Sequence, residues 1–223
     1  LHIAGKKVAI DPRLLALCQA IDSGAESLKK LRDKYDAQGA FDVDVDYTLK
    51  PDGSNARQIT VKPRTLSLNV DDTPVAFTDM AGSIRLVGPG VVLDELSGAL
   101  EGGRLTTSGQ VTWMPERQVD LKLDYADGRM TKAVRALLPP AAQAVVDGME
   151  IGGGVSLSEG HLRISEKETG EAIAFDGKVG FKDATAAIGL PADRINGALT
   201  LAVNREADAT MPSMKLDLAV DSL

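Results

Sequence analysis

The sequence predicts a mainly β protein of the α+β class. The expected form is a long antiparallel twisted sheet, built from two repeats with helical inserts, that either folds onto itself as a sandwich or barrel or leaves its apolar face bare. Three observations carry this. First, residues Gly39–Val87 and Gly153–Val203 follow one pattern roughly 114 positions apart: Val61 falls opposite Phe175, Gly82 opposite Gly197, Ile84 opposite Leu199 and Leu86 opposite Leu201. Second, most of the remaining chain alternates apolar and polar residues at period two, the mark of strands with one dry and one wet face. Third, short turn signals separate the alternating runs, and short connections join antiparallel neighbours.

The elements follow in order. The phrases Leu1–Ile21 and Leu123–Val146 each open a unit and read as helical. In the first, Asp11-Pro12 supplies a cap followed by proline at the first helical position. Leu14, Leu17, Ile21, Leu28, Leu31 and Tyr35 then recur on one helical face, with a break expected at Ser23-Gly24. In the second, Val134, Leu137 and Leu138 precede Pro139-Pro140, and Ala142, Val145, Val146 and Met149 follow. A proline pair cannot continue a helix, so two short helices with a bend are predicted. Both segments are amphipathic without a lysine-rich face, which favours packing on a sheet over lying on a membrane. Strands are predicted over Phe41–Lys50, Arg57–Lys62, Thr65–Val70, Ser83–Val87, Gly103–Trp113, Gln118–Tyr125, Val155–Ser165, Ala172–Phe181, Gly197–Val203 and Lys215–Val220. Turns are predicted at Pro51-Asp52-Gly53, Asp71-Asp72, Gly88-Pro89-Gly90, Gly102-Gly103, Asp127-Gly128, Glu159-Gly160 and Thr169-Gly170. The expected domains are a first repeat over 1–122 and a second over 123–223, packed as one continuous sheet of roughly ten to twelve strands.

Composition narrows function by exclusion. A net charge of −7 opposes a nucleic-acid footprint, which needs a basic stripe, and weakens any case for a polybasic patch on anionic lipid. Aromatic residues make up only 4% of the chain, too few for stacking platforms on bases or sugars. The single cysteine, Cys18, lies among leucines and reads as a small core residue, so neither a disulfide framework nor a thiolate cluster is expected. No stretch approaches the length of a membrane-spanning helix and no signal peptide opens the chain. Starting at Leu1 and closing on the strand-like Lys215–Leu223, the sequence reads as a piece of something longer.

Catalytic and metal chemistry find no foothold in the sequence. His2 and His161 lack metal-ligand spacing and read as surface residues. No nucleophile elbow appears, and the glycine-rich Ile151–Gly160 is neither a phosphate loop nor a dinucleotide fingerprint. Asp42, Asp44 and Asp46 share one strand face with carboxylates about 7 Å apart, too far for one cation to bridge, and read as a solvated outer face. The expectation is a protein that is not an enzyme, with no cofactor and no metal. A long sheet with a continuous apolar face must be covered by something, and two short helical pairs cover only part of it.

The phrases Asp79–Trp113 and Asp193–Val203, with their apolar-x-Gly-x-apolar-x-apolar wording and the Gly-Gly-x-apolar-x-x-Ser-Gly run, resemble repeats of AsmA-like and TamB-like bacterial envelope proteins. That resemblance implies a taco-like groove, apolar within and polar without, of the bridge type that carries phospholipid across the periplasm. It implies acyl lipid as ligand, the rest of a longer chain and inner- and outer-membrane components as partners, and anchoring to the inner membrane through a segment outside this sequence. The helical inserts are less typical of that family. Exposing a sixteen-carbon chain to water costs on the order of 10 kcal/mol at about 0.8 kcal/mol per methylene, and an apolar trough removes that barrier. The candidate lining comprises Val43, Val45, Tyr47, Leu49, Ile59, Val61, Leu66, Leu68, Ile84 and Leu86, with Ile173, Phe175, Leu199 and Leu201 in the second copy. The competing expectation is a structural or adhesive β-repeat module whose apolar faces are closed into its own core.

Overall fold

The computed structural model describes residues 2–10, 32–49, 55–138, 140–167, 170–187, 191–207 and 213–222. Its elements in chain order are β1 (His2–Ala9), β2 (Gln38–Leu49), β3 (Asn55–Val70), β4 (Thr73–Val87), β5 (Gly90–Leu100), β6 (Gly103–Thr112) and β7 (Gln118–Arg129). There follow α1 (Lys132–Ala136), α2 (Pro140–Gly148), β8 (Gly152–Lys167), β9 (Gly170–Ala187), β10 (Pro191–Arg205) and β11 (Ser213–Ser222). Among the described residues eleven strands form one sheet in sequence order, each antiparallel to the next, with β1 and β11 at the two ends of that order. The sheet is open, and the fold is the predicted mainly β architecture with short helices.

Register does not carry the residue correspondence of the repeat: Val61 of β3 pairs with Ile84 of β4, whereas Phe175 of β9 pairs with Val203 of β10 and Leu199 with Val179. Each series begins with a strand, β1 or β7, before its helical segment. The opening phrases are therefore not helical from their first residues: His2–Ala9 and Gln118–Arg129 are strands. In β1 the alternation is disguised by a register shift between Gly5 and Val8, where Lys7 takes φ 54°. Strand β7 runs across residues 122 and 123, so one strand joins the two halves.

Two predicted turns are bulges instead. Asp127-Gly128 lies inside β7 and Glu159-Gly160 inside β8, with Asp127 at φ 52° and Glu159 at φ 56°. A bulge inserts one residue and re-aims the strand while keeping the ladder, so a turn-like dipeptide need not reverse the chain. True reversals occur at Asp71-Asp72 (φ 48° and 61°), between the paired Val70 and Thr73, and at Glu101-Gly102 (φ 49° and 84°), between Leu100 and Gly103. Positive φ at both central residues is the type I′ geometry that matches strand twist.

The second helical segment forms as the proline pair predicts. Thr131 caps α1, its Oγ1 accepting from the Val134 amide at 3.3 Å, and Gln143 of α2 donates back to the Leu138 carbonyl at 2.9 Å. Helix α1 packs on β4 and buries Ala133 and Val134. They join Val75, Phe77, Leu100, Tyr125 and Val155 in the core cluster, with Leu66, Leu68, Leu105, Leu157 and Phe181 packed around it. Tyr125 donates its hydroxyl to the Leu100 carbonyl at 3.0 Å, which satisfies the polar end of a buried ring. Of the first helical segment, residues 32–35 are helical, and the Lys34 ammonium sits 4.9 Å from the Tyr35 ring centre. The cap at Asp11-Pro12, the face Leu14–Leu31, the Ser23-Gly24 break, Cys18 and the Pro51–Gly53 turn lie outside the described residues.

Accessible surface totals 13936 Å². A compact protein of this mass exposes roughly 9,800 Å².

Candidate apolar binding face

Directly opposed residues of an antiparallel pair project to the same side of the sheet, so register traces each face across the strands. One row runs Gly5, Val43, Val61, Ile84, Leu93 and Gly109 from β1 to β6. It continues through Leu121, Leu162, Phe175 and Val203 to β10, without a charged residue. A second row, one step nearer the end, runs Ile3, Val45, Ile59, Leu86, Val91 and Val111. It passes through Val119, Ile164 and Ile173 and meets charge only at Arg205. Regular pairing of β6 with β7 links these rows to the core, because Leu105–Tyr125, Thr107–Leu123, Gly109–Leu121 and Val111–Val119 all share one side. The open rows and the helix-covered core are two ends of one face.

The predicted lining residues divide accordingly. Val43, Val45, Ile59, Val61, Ile84, Leu86, Ile173 and Phe175 stand on the two rows and are half-buried. Leu66 and Leu68 pack against the core under α1. Leu199 pairs with Val179 in a row that runs through Leu157 and Tyr125 into that core, while Leu201 opposes Gly177 and Leu216. Tyr47 is exposed and opposes Arg57. The Leu49 side chain lies outside the described residues. Sequence reasoning did not single out Leu93, Val91, Val119, Leu121, Leu162, Ile164 or Val203. Most sit in plainly alternating runs and follow once strand neighbours are known. Val91 and Leu93 are hidden because Val92 between them is also apolar, yet it falls in the polar row between Arg85 and Gln110.

The opposite face is tied by ion pairs. Asp42, Asp44 and Asp46, the predicted solvated face, meet Arg64, Lys62 and His2 respectively. Arg64 grips Asp42 through Nε at 2.9 Å and Nη2 at 2.5 Å, and the Lys7 amide also donates to it at 2.9 Å. The Arg64 guanidinium and that amide hold the Asp42 carboxyl down to about 2, from an ordinary 3.8. Arg85 likewise lowers Asp94, which it grips at 2.5 and 3.1 Å. His161 joins Asp120 at 2.7 Å, and Arg163 joins Asp176 at 2.8 Å. A depression of about 730 Å³ opens near these pairs over β6–β11, lined mostly by polar-row residues such as Gln110, Gln118, Asp120, Arg163, Asp176 and Asn204. On the apolar side, burial raises the Tyr125 phenol, and the Thr107 hydroxyl is enclosed without a hydrogen-bond partner.

Among the described residues no cluster of three or more His, Cys, Asp or Glu could hold a metal ion, and no helix is long and apolar enough to cross a membrane. The arrangement offers apolar contact along one face and paired charge along the other. No protein-family model, curated protein or solved structure matches the chain.

Proposed function

We propose that this protein binds the acyl chains of phospholipid or a related lipid along the apolar face of its open sheet, without catalysis. The observation that carries this is the uncharged row from Gly5 to Val203, which continues across ten strands; among the described residues, α1 covers the core cluster, to which no residue of the row belongs. Aliphatic side chains dominate it, so a hydrocarbon tail meets dispersion contacts everywhere and a specific hold nowhere, which suits sliding over capture. On the resemblance of its repeats to AsmA-like and TamB-like proteins, the chain acts as a segment of a longer inter-membrane conduit in the periplasm, anchored to the inner membrane by another segment and working with inner- and outer-membrane components.

The test is native mass spectrometry after incubation with phospholipid vesicles, comparing the natural protein with Ile84→Asp. Lipid adducts on the natural protein and their loss in a folded variant are expected. Absence of adducts on the natural protein would leave the structural-module alternative, in which the face serves only internal packing.

A further inference from the structure

The row through Ile164 and Ile173 ends at a charged rim on the same side of the sheet. Glu166 opposes Glu171 one step beyond the Ile164–Ile173 pair, and Arg205 opposes Ile173 directly. All three therefore flank the apolar face rather than the ion-paired one. Two like charges facing each other across a ladder repel, and Arg117 relieves this by bridging them: its Nε lies 3.4 Å from Glu166 and its Nη2 contacts Glu171. Arg205 approaches from the other side, its Nη2 donating to the second Glu171 carboxylate oxygen at 3.1 Å and to the Glu171 carbonyl at 3.3 Å. One carboxylate thus sits between two guanidiniums, each contributing Nη2 to one oxygen. Both guanidiniums remain open to solvent, at 45% and 36% side-chain exposure. Arginine carries five donors in a planar fork suited to phosphate as well as carboxylate. Glu171 occupies the position that a phosphate with two free oxygens would take.

We infer that Arg117 and Arg205 form a headgroup site for the phosphate of an acyl lipid whose tail lies on the adjoining apolar row, with Glu171 as the internal anion that holds the site open when no lipid is bound. This rests on the acyl-binding reading above and adds to it a direction, with head at the β7–β10 rim and tail running inward. The aliphatic stem of Arg205 beside Ile173 continues the apolar wall up to the charged tip.

Calorimetric titration with decyl phosphate, decanol and inorganic phosphate, each below any micelle-forming concentration, separates the possibilities. The natural protein is expected to bind decyl phosphate about tenfold more tightly than decanol, the effect of one charge-assisted contact. It is expected to bind inorganic phosphate far more weakly than decyl phosphate. Arg117→Gln with Arg205→Gln removes the preference but leaves decanol binding. Because that variant unpairs Glu166 and Glu171, Glu171→Gln provides the opposite sign: with the internal anion neutralised, decyl phosphate binds several-fold more tightly. Equal binding of both amphiphiles by the natural protein, or a preference that survives in the double variant, overturns the headgroup site and leaves the acyl face standing. Inorganic phosphate binding as well as decyl phosphate overturns it in favour of a free-anion site. If neither amphiphile binds, the acyl face itself is wrong.

Discussion

The two ends of the apolar face share one alternation pattern and differ in what covers them among the described residues. Under α1, Val75 is 0% and Leu100 2% exposed, and Tyr125 bonds its hydroxyl to the backbone. Along the rows through Val61 and Ile59 the same kinds of residue are only half-buried. The contrast separates two meanings of an apolar strand position: at one end it is core, and at the other it is surface that still excludes charge. Nothing in the alternation distinguishes them. A short capped helix does.

Substitutions sharpen this contrast, beginning with the largest effect. Phe77→Ala removes a ring from the covered end and is expected to cost about 3–5 kcal/mol, read from urea unfolding. Ile84→Ala on the open row is expected to cost about 1 kcal/mol or less by the same measurement. Equal losses at the two sites would erase the distinction between core and open face. Gly128→Ala probes the packing beside the core: an added Cβ would meet the Tyr125 ring at 2.0 Å, so the ring must leave its place. An overpacking loss of about 2 kcal/mol is expected, accompanied by a changed tyrosine signal in near-ultraviolet circular dichroism. A variant as stable as the natural protein would mean that the ring is loosely held. Ile84→Asp should cost about 1 kcal/mol in folding, yet weaken binding of a fluorescent fatty acid by about tenfold or more. A variant that unfolds outright would move Ile84 from the open face to the core.

The smallest effect belongs to the charged face. Asp42 titrates lower in the folded chain than the ordinary 3.8, so its pair with Arg64 contributes stability that is complete above that value. The contribution is lost as pH falls towards about 2. Arg64→Ala should raise the Asp42 titration followed by carboxyl NMR and flatten the acid limb of stability in that window. It should leave acyl binding unchanged, because Asp42 lies on the other side of the sheet from Val43. Loss of acyl binding in this variant would break the separation of the two faces.

The antiparallel sheet and the paired helices around Pro139-Pro140 were legible because period two, period 3.6 and proline each act locally. The failures have local causes as well. Strand β4 carries Val75 and Phe77 at odd positions and Ile84 and Leu86 at even ones, because the bulge at Asp79 (φ 48°) shifts the phase between them. Alternation read from the sequence therefore began only at Ser83. Asp127-Gly128 and Glu159-Gly160 resemble hairpin turns for the same reason: a bulge and a turn both require positive φ, and only the neighbouring strand decides which forms. The candidate face was legible as composition, in Val43, Val61, Ile84 and Phe175, but its continuity was not. Continuity depends on register between residues as distant as Leu121 and Leu162. The rim of Arg117, Glu166, Glu171 and Arg205 is assembled from four separate chain segments, and no sequence spacing announces it.

The most direct test places a photoreactive phenylalanine analogue at Ile84 on the open row and, separately, at Leu100 under α1. Each protein is irradiated with phospholipid vesicles and lipid adducts are counted by mass spectrometry. Adducts at position 84 with few or none at position 100 are predicted. No adducts at position 84, or equal numbers at both, would contradict an apolar face that stays open to hydrocarbon.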